Sequence, residues 1–219
     1  MGTPVQSSGK LETATGGTTI TFNMPGNFTN GNWAVLRFIA TTANLAGLTI
    51  GGVTPNNDQF DFPFGPLCCG IVSGQMTGGS SAIVFTYSAG AANMVTCWCD
   101  EWNDFQTATP LDQAPAPVNS SNPTVTTATL SQANERIFAM GGCENLSSGA
   151  SGPTSGYAQD LLETGGTFFN AASGWKDVAS TTAVSATWST SSGRIDGLVA
   201  TYRISAGGGG DTLFGQACY

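Results

Sequence analysis

The feature that most limits what this chain can become is a strand–turn–strand stretch at 81–102 that returns, without gaps, at 182–203. The shift sets Ala82 on Ala183, Ile83 on Val184, Thr86 on Thr187, Tyr87 on Trp188 and Ser88 on Ser189. Identity is low, yet both copies have a polar lead-in, alternating apolar residues that end on an aromatic, a small-residue turn and a second strand. Alternation with a period of two marks a half-buried β-strand. Self-similarity at a fixed spacing describes an architecture before any motif does. One hairpin plan used twice points to an all-β fold.

The remaining segments extend the doubling. At 18–24 the residues Ile20, Phe22 and Met24 alternate on one face, and 124–130 mirrors them with Thr126, Ala128 and Leu130. The bulky run at 33–40 reads as a central strand covered on both faces, and 135–143 is its counterpart. Between them, 25–32 is turn chemistry. Shorter strands are expected at 46–53 and 175–178. Two irregular excursions, 54–79 and 145–174, occupy matching places, and the second contains a helical fragment at 158–163. The expected boundaries are an N-terminal arm 1–17, halves 18–105 and 124–206 joined by a Pro-rich connector 106–123, and a glycine-rich tail 207–219. The fold expected is a single jelly-roll-like β-sandwich of about eight main strands in two pseudo-repeated halves with long loops. Two separate four-stranded domains are the alternative, disfavoured because each would leave open edges.

Composition narrows function by exclusion. Charged residues make up 9% of the chain, against roughly a quarter in ordinary soluble domains. Net charge is −8 with only six basic residues, which argues against a nucleic-acid footprint. The most apolar run, around 34–40, is interrupted by Arg37 and is too short to span a bilayer. Residues 1–17 show no secretory leader, so synthesis in the cytoplasm is expected. Histidine is absent, which removes Ser-His-Asp and Cys-His nucleophiles and the usual general base near neutral pH. No phosphate-binding or dinucleotide-binding glycine motif precedes a helix.

Several clusters carry residue types that could support chemistry. Asp100, Glu101 and Asp104 lie beside Trp98 and Trp102, the residue types of a glycosidase. Asp100 and Glu101, however, point to opposite faces of a strand, so solvated caps are the plainer reading. Asn56, Asn57, Asp58 and Asp61 offer hard oxygens for calcium, out of EF-hand order, where turn formation is the plainer reading. The sequons at Asn27, Asn119 and Asn145 carry no meaning without export. Cys68, Cys69, Cys97, Cys99, Cys143 and Cys218 have CC and CxC spacing, not zinc-ribbon spacing. Cys97 and Cys99 read as small buried hydrophobes, while a disulfide involving Cys218, Cys68 or Cys69 stays open. Trp33, Trp98 and Trp188 sit in alternating strands and read as core. No catalytic, metal or cofactor residue is assigned. The residues assigned to partner binding are Phe60, Phe62, Phe64 and Leu67 in the first excursion, with Phe214 and Tyr219 in the tail.

The strand pattern GTTITFNMPGNFTNGNWAVLRF, the closing GLVATYRI before a glycine tail, and the acidic, Thr/Gly-rich, His-free composition resemble the β-sandwich virion proteins of tailed bacteriophages. Within that group the resemblance is to capsid decoration (cement) proteins and related head-fibre or tail-appendage modules. It implies a structural virion protein, not an enzyme, made in the host cytoplasm and seated on the major capsid protein as a homotrimer. Arm, loops and tail would bridge its neighbours. No site residue transfers with the resemblance. A receptor- or glycan-binding module of a tail fibre or secreted adhesin is the alternative.

Overall fold

The computed structural model describes residues 2–41, 45–64, 67–90, 93–143, 150–154, 156–163, 170–190 and 193–205, with 63–64 and 161–163 described by backbone alone. All strand pairing among them is antiparallel. The first half holds β1 (Gln6–Ser7), β2 (Leu11–Thr15), β3 (Thr19–Asn23), β4 (Trp33–Thr41), β5 (Leu45–Ile50), β6 (Asn56–Phe64), β7 (Leu67–Gln75), β8 (Ala82–Tyr87) and β9 (Asn93–Trp102). The second half holds β10 (Leu111–Gln113), β11 (Val118–Ser120), β12 (Thr124–Thr126), β13 (Glu135–Cys143) and β14 (Ala150–Ser151). It continues with β15 (Ala158–Glu163), β16 (Asn170–Val178), β17 (Ser185–Thr187), β18 (Ser189–Thr190) and β19 (Ile195–Arg203).

Each half is a two-layer sandwich. In the first, a large sheet runs β1-β9-β4-β7-β6, with β2 also on β9, and faces a small sheet β3-β8-β5. In the second, the large sheet runs β10-β19-β13-β16-β15, with β11 also on β19, and faces two short ladders, β12-β17 and β14-β18. The doubling extends to register. Gln6 lies opposite Glu101, and Leu111 lies opposite Tyr202. The two large sheets stack face to face, giving four layers and three apolar cores.

The side-chain alternation of β4 shows how the layers are filled. All nine of its residues are buried. Ala34, Leu36, Phe38 and Ala40 fill the first sandwich, while Trp33, Val35 and Ile39 face the other half. On β13, Ile137 and Ala139 fill the second sandwich, while Phe138 and Met140 meet the first. Two covered faces turn an alternating strand into a continuous buried run.

All-β antiparallel sandwich architecture is therefore present, with corrections in detail. The strands number more than about eight, because each half is a complete two-layer unit. The excursion at 54–79 is not irregular, since it folds into β6 and β7. Its alternation was masked by Pro63, by ladder irregularities after Asn57 and Asp61, and by Gly70, where a Cβ would lie 2.6 Å from the Phe38 ring. The fragment at 158–163 is not helical. Its Ala, Gln and Leu residues favour helix in isolation, but pairing with β16 makes it β15. The strand expected at 175–178 is the end of the longer β16. The 106–123 segment is not a bare connector, because β10 and β11 pair with β19 as β1 and β2 pair with β9. It is thus the second copy of the N-terminal arm, which is itself part of a sheet.

Candidate functional site

The chemically loaded region is the seam between the two large sheets. Two of the chain's six basic residues, Arg37 and Arg136, are fully buried there. Arg37 projects from β4 between Val35 and Ile39 and pairs with Asp100 of its own half and Asp160 of the other. Its guanidinium lies 5.0 Å from the Phe138 ring centre. Arg136 projects from β13 and lies 3.6 Å over Trp102 of the first half. It forks onto Asp104 at 2.7 and 3.1 Å and onto Asp177 at 2.8 and 3.1 Å. Each arginine thus stands on the central strand of one half and stacks on an aromatic of the other. A buried guanidinium is tolerable when carboxylates and ring faces replace its water; of the Arg37 nitrogens, Nε alone is left without a hydrogen-bond partner.

The electrostatics follow from that burial. Desolvation works to lower the Arg37 pKa, but the Asp160 and Asp100 carboxylates outweigh it and hold the group above its ordinary value. Burial raises Asp160, with Arg37 opposing. Asp58 of β6 accepts a 2.6 Å hydrogen bond from the Tyr202 hydroxyl across the seam, and burial raises its pKa too. Where β10 crosses β19, Asp112 is opposed by burial but accepts hydrogen bonds from Ser131 and Arg203, which bring it to about 2. Neighbouring Glu135 is pushed up to about 7, first by burial and then by Asp112.

The acid cluster read from the sequence is taken apart by the fold. Asp100 serves Arg37, and Asp104 serves Arg136. Glu101 is buried and accepts from the Gln6 amide at 2.5 Å, the Thr29 N–H at 2.8 Å and the Asn32 amide at 2.6 Å, which ties the arm to the 27–32 turn. The calcium set also disperses: Asn56 and Asn57 are exposed, Asp58 holds Tyr202, and Asp61 lies beside Cys69 and Asp196 in the seam. Among the described residues, no three acidic, thiol or imidazole groups converge as metal ligands.

Cys68, Cys69, Cys97 and Cys99 are buried free thiols, Cys143 is buried, and Cys218 lies outside the described residues. Cys97 and Cys99 pack in the first core. Burial pushes the Cys68 thiol up to about 12. Trp33, Trp102 and Trp188 are buried, and the Trp188 indole donates to the Ala172 carbonyl at 3.1 Å.

The proposed partner-binding residues do not form one patch. Phe60 is half-buried, its ring 5.8 Å from Phe38, and Phe62 packs on it at 4.9 Å with 61% of its surface exposed. Leu67 turns inward against the core between the halves. The side chain of Phe64, and all of Phe214 and Tyr219, lie outside the described residues. Beside Phe60 the first sandwich is open between the β5 and β6 edges. A cavity of about 290 Å³ there is lined by Phe38, Leu45, Leu48, Pro55, Asn57 and Phe60 among others, with no charged residue.

The buried arginines are what sequence reasoning missed. The available signal was a cation in the middle of VLRFIA and another opening RIFAM, in a chain with very few cations. No protein-family model, no curated protein and no solved structure matches the chain.

Proposed function

We propose that this chain is a structural virion protein, a decoration subunit that seats on the major capsid protein of a tailed bacteriophage head and stiffens it. The supporting observation is where the chemistry is spent. The buried arginines and their carboxylates are occupied in joining two sandwiches into one block, and none of them lines the cavity beside Phe60 or the one beside Trp33 and Asp58. Of the large apolar side chains, only Val5 and Phe62 stand exposed among the described residues. Phe62, beside the open β5–β6 seam, is the contact this reading uses, with apolar burial supplying about 25 cal/mol per Å². The arm is a weaker candidate for a clamp than its sequence suggests, because its strands are hydrogen-bonded into their own sheet.

The test is quantitative mass spectrometry of the source particle, followed by rebinding of purified protein to stripped heads. Hundreds of copies, and rebinding lost in Phe62→Ser without loss of fold, are expected. A few copies per particle, with heads intact and host adsorption lost, would transfer the protein to the receptor- or glycan-binding alternative. Trimeric assembly, also proposed, is checked by light scattering.

A further inference from the structure

The seam is held differently at its two ends. At the Trp33 end sit Arg136 with its two carboxylates, the Tyr202–Asp58 hydrogen bond, and the covalent crossing at 105–111. Midway along, Arg37 of β4 bridges to Asp160 of the other half; beyond it, where Cys69 meets Gly142, no further ion pair bridges the sheets among the described residues. Gly142 of β13 comes so close to Cys69 of β7 that a Cβ there would overlap the sulfur, and it would lie 3.2 Å from the Ile39 methyl. Asp61 is the ladder partner of Cys69, and Asp196 is the ladder partner of Gly142. Two carboxyl groups therefore meet across the tightest point of the stack. Asp196 is fully buried, and no hydrogen-bond donor reaches either of its oxygens.

We propose that Asp61 and Asp196 form a one-proton latch that closes this end of the seam, with the arginine-pinned end as the hinge. A single proton on Asp196 lets its carboxyl donate to Asp61 and satisfies both groups. Removing it leaves two facing anions, one of them without solvent, which neither burial nor Coulomb repulsion tolerates. Burial first, and then the charge of Asp61, push Asp196 up to about 8. Arg37 of β4, on the same face as Ile39, is taken up by Asp100 and Asp160, and the other surrounding titratable groups offer no counter-ion. β6 contributes Asp58, already bonded to Tyr202. β7 contributes the Cys69 thiol, raised by burial, and Cys143 of β13 belongs to the core behind the sheet. Arg194 is exposed and forms no ion pair with either carboxylate. No third ligand converges to make this a metal site.

The sign follows from linkage. In the open seam Asp196 returns to an ordinary carboxylate value, so the closed form binds one extra proton between that value and about 8. Opening therefore grows about tenfold per pH unit through this window and levels off above it. The experiment reads Cys69, which the latch covers, against Cys97, which lies inside the first sandwich and reports global unfolding. N-ethylmaleimide labelling of native protein is followed by peptide mass spectrometry from pH 5 to 10.

The Cys69/Cys97 labelling ratio is expected to rise from pH 5 and to plateau above about 8. Asp196→Asn should flatten it. Asp61→Asn, made at the partly exposed partner, should bring the plateau to lower pH, and it serves if the first variant does not fold. A ratio flat in wild type, or rising equally in Asp196→Asn, overturns the latch. So does a rise abolished by 1 mM calcium, which would make the pair a cation site.

Discussion

Replacing Gly142 by alanine probes how closely the two sandwiches are stacked. The new methyl would overlap the Cys69 sulfur and sit 3.2 Å from Ile39, so the sulfur must withdraw by roughly an ångström or more to regain van der Waals separation. Cys69 and Ile39 are both fully buried, and that withdrawal strains a closed core. Overpacking of this kind costs about 1–3 kcal/mol. Removing a strand glycine returns about 0.5–1 kcal/mol through chain entropy, so Gly142→Ala should cost about 1–2 kcal/mol net. Cys69→Ala alone should cost about 1 kcal/mol for lost contact and a small void. In the double variant the alanine methyl occupies the space the sulfur left, and stability should return close to wild type. The coupling energy is then about 2–3 kcal/mol with restoring sign. Urea unfolding of the four proteins, at unchanged denaturant slope, measures it. Losses that add to within about 0.5 kcal/mol would show that these two side chains do not meet.

Arg136→Met leaves Asp104 and Asp177 together without their cation, and should lower stability by about 3–5 kcal/mol in the same assay; a loss below 1 kcal/mol would contradict the buried fork. Glu135, raised to about 7, makes stability fall as pH rises from its unfolded value near 4.5 through 7. Glu135→Gln should remove that slope from thermal midpoints. Asp112, lowered to about 2, contributes stability present above 3.8 and lost as pH falls through 2, so Asp112→Asn should be flat across this range while wild type declines. Deleting residues 2–17 uncovers the β9 edge and removes the Gln6–Glu101 bond, so the shortened chain should aggregate and show faster amide exchange along β9. An unchanged exchange pattern would show that the arm is not part of the sheet.

Legibility varied with the range of the interaction. The alternation of Ile20, Phe22 and Met24 predicts one inward face, and all three are buried in the first core. The same-face spacing of Cys97 and Cys99 predicts packing groups, and both lie in the first core. Residues 158–163 depart from the helical expectation because helix propensity is a local quantity, whereas β16 supplies their hydrogen-bond partners. The 106–123 segment departs from the connector expectation because its prolines disguise two short strands that pair with β19. The acids at 100–104 were legible as a cluster, but not as separate partners of two arginines on opposite sheets.

Side-chain alternation depends on nearest neighbours along the chain, so the sequence alone determined that this protein is built of antiparallel strands and that its plan is used twice. Which groups meet across the seam depends on register and on how two twisted sheets stack. Tyr202 finds Asp58 from 144 positions away, and Asp196 faces Asp61 only because Gly142 lets the sheets close. Those encounters were decided by the tertiary structure, since no local preference encodes a contact between layers.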